Sequence, residues 1–218
     1  MSVEDWEDRL AAYRRQGRSE VEIAGVARHL EQRGPRKPRT REELVARSHE
    51  IGIVTRAVYV PKEDETRYLT RDESGLPTIR LVDAGDRLSI WSPVENGALI
   101  NPKGPGLRTL NLYSSYARGA DNYRIAYRSA DLGEGRWVDL VREPDNPHDK
   151  HAVAMCAPGS RAPFAYVQKG RAPAVARRMD AGEDMAGVSM RGPGRGREGD
   201  TTFVLIGSRD DLTAMLDG

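Results

Sequence analysis

Hydrophobic and polar positions alternate along this 218-residue chain with two different periods. Near the N-terminus the period is helical. Val3, Trp6, Leu10 and Tyr13 recur at spacings of three and four, which predicts one apolar stripe on a helix over 3–15. Acidic residues crowd its first turn and arginines its last, matching the helix dipole, and Gly17 ends it. Ser19 with Glu22 makes a capping-box pattern for a second helix over 19–33, terminated by Gly34-Pro35. After the cationic linker PRKPRT, Thr40 and Glu43 repeat that pattern and predict a third helix over 41–50.

From Ile51 the period shortens to that of strands. GIVTRAVYV, PTIRLV, DRLSIWSPV and GLRTLNLYS carry β-branched and aromatic residues between turn-forming stretches such as DESG and NPKGPG. After about Gly119, the segments NYRIAYRS, GRWVDLVRE, HAVAMCA, FAYVQKG and FVLIGS predict further strands. They are interrupted by one helix, RAPAVARRMDAG, with Pro173 near its start and Gly182 at its end. The expected architecture is α+β: helices over 1–50, a β-rich region of unassigned role over 51–118, and a C-terminal domain over 119–218. That last domain reads as a small OB-like β-barrel with one helix packed across an opening.

Composition narrows the class. Hydrophobic residues make up 38% and charged residues 31%, which predicts a modest core with well-solvated connections. No run of about 18 apolar residues is present, so no membrane-spanning helix is expected. The first residues, MSVEDWEDRL, are acidic where a secretory signal is basic and then apolar. The single cysteine, Cys156, can form neither an internal disulfide nor a zinc site alone. Together these features predict a cytoplasmic protein with no cofactor.

Net charge is +1, and over 119–218 there are 14 Lys and Arg against 15 Asp and Glu. Coating long DNA needs many cations, whereas holding an end needs few. Two local runs are basic: Arg28, Arg33, Arg36, Lys37, Arg39 and Arg41 against Glu31, and RGPGRGR over 191–197. The string GRSEVEIAGVARHLEQRG resembles the first half of a helix-turn-helix, but a helical cap or dimerisation arm has the same pattern and is favoured.

The segments WVDLVREPDNPHDKHAVAM, FAYVQKGRAPAVARRMDAG and GVSMRG, in that order, resemble the HIRAN domain family. REPDNPHD carries the most specific part of the likeness, which spans roughly residues 119–218. HIRAN domains occur fused to DNA-remodelling helicases and as stand-alone bacterial proteins. The resemblance implies an OB-like barrel that captures single-stranded DNA at a free 3′ end, a role consistent with DNA repair. A terminal base can stack on an aromatic or guanidinium plane, and a terminal hydroxyl can donate to a carboxylate that would repel an internal phosphate.

Asp149 occupies the position of that carboxylate. His148 stands where the family usually has an aromatic, and Lys150 fits a phosphate contact. On the first predicted strand of the domain, Tyr127 and Arg128 stand near the family's stacking and phosphate-binding pair. The family's rim aromatic falls at about Met190 or Arg191, and Arg195 belongs to the basic run beside it. Each has a plainer structural reading: Pro144, Asn146 and Pro147 shape a turn, Arg142 and Glu143 pair on the surface, Asp149 caps a backbone N–H, and Cys156 is buried packing.

Two other readings remain open. The barrel can serve as a scaffold for a protein partner such as a helicase or nuclease. Alternatively, Asp145, His148, Asp149 and His151 can hold a metal for nucleic-acid hydrolysis, although no distant ligand completes the set and no nucleophile or phosphate-loop motif is present.

Overall fold

The strand Phe203–Ser208 is apolar on both faces because both faces are buried. Phe203 and Leu205 pack into one hydrophobic cluster, and Val204 and Ile206 into a second. Successive strand side chains point to opposite faces, so this single strand lies between two cores of the described residues.

The computed structural model describes residues 59–84, 87–194 and 201–217. They lie in one compact unit, Ala57–Gly218. The helices expected over 3–15, 19–33 and 41–50 lie outside the described residues. So does most of GIVTRAVYV, of which Tyr59 bridges Leu99.

A short helix α1 (Glu65–Tyr68) precedes a three-stranded antiparallel sheet of β1 (Arg80–Asp83), β2 (Leu88–Ser92) and β3 (Ala98–Ile100). Next come β4 (Tyr113–Tyr116), a helix α2 (Arg124–Ser129), β5 (Trp137–Arg142), β6 (Val153–Cys156) and β7 (Pro163–Tyr166). The chain ends with α3 (Ala172–Asp180), β8 (Met185–Arg191), β9 (Phe203–Ser208) and α4 (Arg209–Asp217). The second sheet is six-stranded and antiparallel, in the order β4-β9-β8-β5-β6-β7.

Its two edges meet. Arg118, just past β4, exchanges two backbone hydrogen bonds with Tyr166 of β7, at 2.9 and 2.8 Å. The Gln168 amide then donates to Ser115 Oγ at 2.8 Å. The curled sheet thereby forms a barrel whose two edges are joined at this one bridge. Val138, Val153, Met155, Phe164, Val204 and Ile206 fill the interior, with Ala172, Val175 and Ala176 of α3 against them. Outside the barrel, Val188, Met190 and Leu205 pack with Ile79, Ile90 and Ile100 of the smaller sheet and with Leu212 and Met215 of α4. A bidentate ion pair ties α4 down: Arg71 meets the Asp211 carboxylate at 2.8 and 3.0 Å.

The α+β class and the barrel with its packed helix follow the expectation; two local assignments do not. NYRIAYRS is a 3-10 turn over Ala120–Tyr123 running into α2, not a strand. Gly119, at φ 75°, turns the chain off the line of β4. Ala126, Tyr127 and Ala130, at helical spacing, then pack on the barrel core while Ile125 is 86% exposed. Gly106–Leu110, read as strand, is also a 3-10 helix, ended by Asn111 at φ 57°. The strand β8 and the helix α4 are additions to the predicted set.

Candidate nucleic-acid interface

The turn between β5 and β6 contains the REPDNPHD motif, and Asn146 organises it. Its Oδ1 accepts the amides of His148 and Asp149 at 3.0 and 3.3 Å, while its Nδ2 donates to Glu143 Oε2 at 2.8 Å. This Asx-type arrangement explains why an asparagine between two prolines folds locally in one way. Asp149 accepts the His151 amide through Oδ1 at 2.8 Å, and its own carbonyl accepts the Ala152 amide at 2.9 Å. Asp149 therefore does cap a backbone N–H. Its Oδ2 takes no protein hydrogen bond among the described residues. Asp149 is half-buried; His148 and Lys150 on either side are exposed.

Arg142 and Glu143 do not pair with each other. Arg142 clasps the Asp180 carboxylate at the end of α3, at 3.0 and 3.3 Å. Glu143 instead accepts the Tyr166 hydroxyl, at 3.0 Å to Oε2. Tyr166 in turn lies 5.7 Å from the Tyr123 ring, with the two hydroxyls 3.5 Å apart. Burial, followed by the bonds to Tyr123 and Glu143, raises the Tyr166 pKa above the ordinary phenol value. The turn is thus fixed to the barrel wall through a carboxylate and a phenol.

From Tyr166 a line of side chains runs across the barrel seam. Arg118 pairs with Tyr166 through the backbone, and Tyr116 lies two residues before it on the same face. The Arg118 guanidinium sits 5.3 Å from the Tyr116 ring centroid. Tyr116 opposes Phe203 on β9, with rings 5.0 Å apart and tilted by 53°. Phe203 opposes Arg191 on β8, where the ladder is bulged. Tyr116, Phe203 and Arg191 therefore form one row across three strands, and the chain beyond Arg191 leads into the glycine-arginine run.

The sequence-predicted residues fare differently. Asp149, His148 and Lys150 share the turn. Arg191 joins the aromatic row and is engaged with neighbours. Tyr127 and Arg128 sit on α2, not on a strand. The Tyr127 ring meets Phe164 edge-on at 6.1 Å, and its hydroxyl bonds Thr202 Oγ1 at 2.8 Å, which gives it a place in the core. Arg128 is exposed and also engaged. Arg195 lies outside the described residues. Tyr166, Tyr116 and Arg118 were absent from the sequence-based set; the alternation in YSSYAR is the signal that marks Tyr116 and Arg118 as outward-facing, whereas a register shift between β6 and β7 breaks the alternation before Tyr166 and hides it.

Among the described residues, no group of three or more His, Cys, Asp and Glu side chains converges as a metal site, so Asp145, His148, Asp149 and His151 do not form one. No described helix is long and apolar enough to cross a membrane.

The fold is therefore a small antiparallel barrel with aromatic and cationic residues crossing its seam beside a built turn. The chain is similar to the crystal structure of the HIRAN domain of human HLTF, at 22% identity over 49% of this chain and 84% of that one, with a TM-score of 0.35. It is also similar to the NMR structure of that domain, at 22% identity over 47% and 81% with a TM-score of 0.31. A protein from Lactobacillus plantarum gives 18% identity over 43% and 87%, with a TM-score of 0.36. No family model and no curated protein matches the chain.

Proposed function

We propose that residues 113–217 hold single-stranded DNA at a free 3′ end, without catalysis, as the REPDNPHD resemblance implies. The observation that supports this most is the Asn146-centred turn. It carries Asp149 and Lys150 and is joined through Glu143 to Tyr166, from which the Arg118–Tyr116–Phe203 line continues. In this reading the unused Asp149 oxygen accepts the terminal hydroxyl and repels a continuing phosphate. Lys150 contacts the last phosphodiester, His148 lies against the terminal sugar or base, and Tyr116 offers its ring to a base further along. Arg118, Arg191 and the basic run containing Arg195 supply positive potential along the backbone. Arg128 lies on the neighbouring helix and Tyr127 serves through packing.

The test is fluorescence anisotropy with a labelled oligonucleotide ending in a 3′-hydroxyl or a 3′-phosphate, on wild type and Asp149→Ala, at two salt concentrations. End capture requires a preference for the hydroxyl that disappears in Asp149→Ala. Equal binding of both ends by wild type would overturn the end-binding role.

A second reading, a docking module for a protein partner such as a helicase or nuclease, is favoured by one observation. Ile125 is 86% exposed beside a groove of about 740 Å³ between α2 and the β6–β7 hairpin. Its discriminator is salt: apolar docking survives a rise in salt that abolishes phosphate contacts.

A further inference from the structure

Lys103 lies in the NPKGPG loop of the region before the barrel, yet its ammonium sits over the barrel's aromatic row. Nζ is 5.1 Å from the Tyr116 centroid and 5.8 Å from that of Phe203. With Arg118 at 5.3 Å, two cations flank one tyrosine. Most arginines with defined partners here are committed to carboxylates: Arg71 to Asp211, Arg142 to Asp180, Arg209 to Asp184. Lys103 and Arg118 have no such partner among the described residues, and both are exposed.

The loop that carries Lys103 is firmly placed. Asn101 Oδ1 accepts the Lys103 amide at 3.0 Å, and the Asn101 carbonyl accepts the Gly104 amide at 2.9 Å. The Gly106 amide donates to Glu65 at 2.9 Å, and Glu65 is only 1% exposed. A Cβ on Gly104 would lie 2.0 Å from Glu65 Oε1, so a side chain there would push this buried carboxylate aside. The backbone of the loop is held while the lysine stem stays free to swing.

We propose that Lys103 is a phosphate contact for the nucleotides that follow the captured end, so that the region before the barrel helps to hold the strand. The proposal rests on the single-stranded DNA reading above. At rest the ammonium lies over the Tyr116 and Phe203 rings. A base stacking on Tyr116 displaces it, and the displaced cation meets the adjoining phosphodiester. Lys103 thereby lengthens the footprint beyond the terminal nucleotides and leaves the end itself to Asp149.

The experiment compares wild type, Lys103→Ala and Lys103→Arg by anisotropy with a dinucleotide and a decanucleotide, both with 3′-hydroxyl ends, across a salt series. Removing one phosphate contact on a single strand lowers the magnitude of the logarithmic salt slope by about 0.7. Lys103→Ala should show that reduction and bind the decanucleotide several-fold more weakly, with dinucleotide binding unchanged. Lys103→Arg should restore both slope and affinity. An unchanged slope in Lys103→Ala, with wild type binding the decanucleotide, overturns the role of Lys103 alone. Failure of wild type to bind either oligonucleotide overturns the DNA reading and this proposal together.

Discussion

The Tyr166 hydroxyl donates to the Glu143 carboxylate at 3.0 Å, joining the last residue of β7 to the residue that follows β5 and opens the turn. Glu143 also takes the Asn146 amide at 2.8 Å, so one carboxylate connects the barrel wall and the turn. The Tyr166 proton is held more tightly in the folded state than in the unfolded chain. The stabilisation this brings is complete below about pH 10 and is lost as pH rises above it. Urea unfolding of wild type and Tyr166→Phe at pH 8 and above pH 10 checks this. The wild type should lose more stability at alkaline pH than the variant; parallel losses would remove Tyr166 as the source.

Tyr116 is expected to carry base stacking. Tyr116→Ala should weaken oligonucleotide binding by about 1–3 kcal/mol, the usual value of one stacked base, at any base composition. Tyr116→Phe should bind like wild type. A titration of homopolymeric and mixed oligonucleotides measures this, and an unaffected Tyr116→Ala would move the stacking surface elsewhere.

Cys156 has 0% exposure in β6, and burial together with the nearby Glu143 and Asp139 carboxylates pushes its thiol up to about 11. The folded protein should therefore not react with a thiol reagent at pH 8, and the unfolded chain should react at once. Rapid labelling of native protein would place Cys156 outside the core.

Asp211 is the nearly buried partner of Arg71, and Arg71 Nη2 also donates to the Leu110 carbonyl at 2.8 Å. Asp211→Ala leaves a partly buried guanidinium without its carboxylate and should cost about 2–4 kcal/mol, somewhat discounted because Arg71 reaches solvent. Denaturant midpoints measure it. A loss below about 0.5 kcal/mol would mean that Leu212 and Met215 hold α4 without the ion pair.

Gly187 of β8 packs in the barrel where an added Cβ would meet Val204 Cγ1 at 2.6 Å and Val138 Cβ at 3.3 Å. Gly187→Ala should destabilise by about 1–3 kcal/mol through overpacking. Thermal unfolding tests it, with Val204→Ala in the same chain expected to recover part of the loss.

The legible parts of the sequence were those in which local and global demands agree. GRWVDLVRE, HAVAMCA and FVLIGS are strands because β-branched residues fill buried positions on sheet faces. The α3 helix carries its own punctuation in Pro173 and Gly182, the latter at φ 87°. NYRIAYRS misleads because Tyr123, Ile125 and Tyr127 alternate like a strand, while the stripe that actually packs includes small alanines of low hydrophobic contrast. In β8, Gly187, Ser189 and the bulge before Arg191 hide a strand whose identity depends on its two neighbours. The helix α4 announces itself only by Ser208, whose hydroxyl accepts the Asp211 amide at 3.2 Å, and by two aspartates in its first turn. At the proposed site, the turn that carries Asp149 was readable from the motif. The row from Arg118 to Phe203 was not, because register between distant strands creates it.

The Arg118–Tyr166 seam also sets an order of events. Hairpins β8–β9 and β6–β7 join strands close in the chain, whereas β4 must find both β9 and β7 from far upstream, at a larger loop-closure cost. The seam is therefore expected to form late in assembly and to open first. Its two amides should exchange with solvent sooner than those of β8 and β9. A strand of DNA lying from Tyr166 to Tyr116 crosses this joint as a strap crosses a hoop, so occupancy would slow exchange at Arg118 and Tyr166 and couple ligand grip to the integrity of the whole barrel.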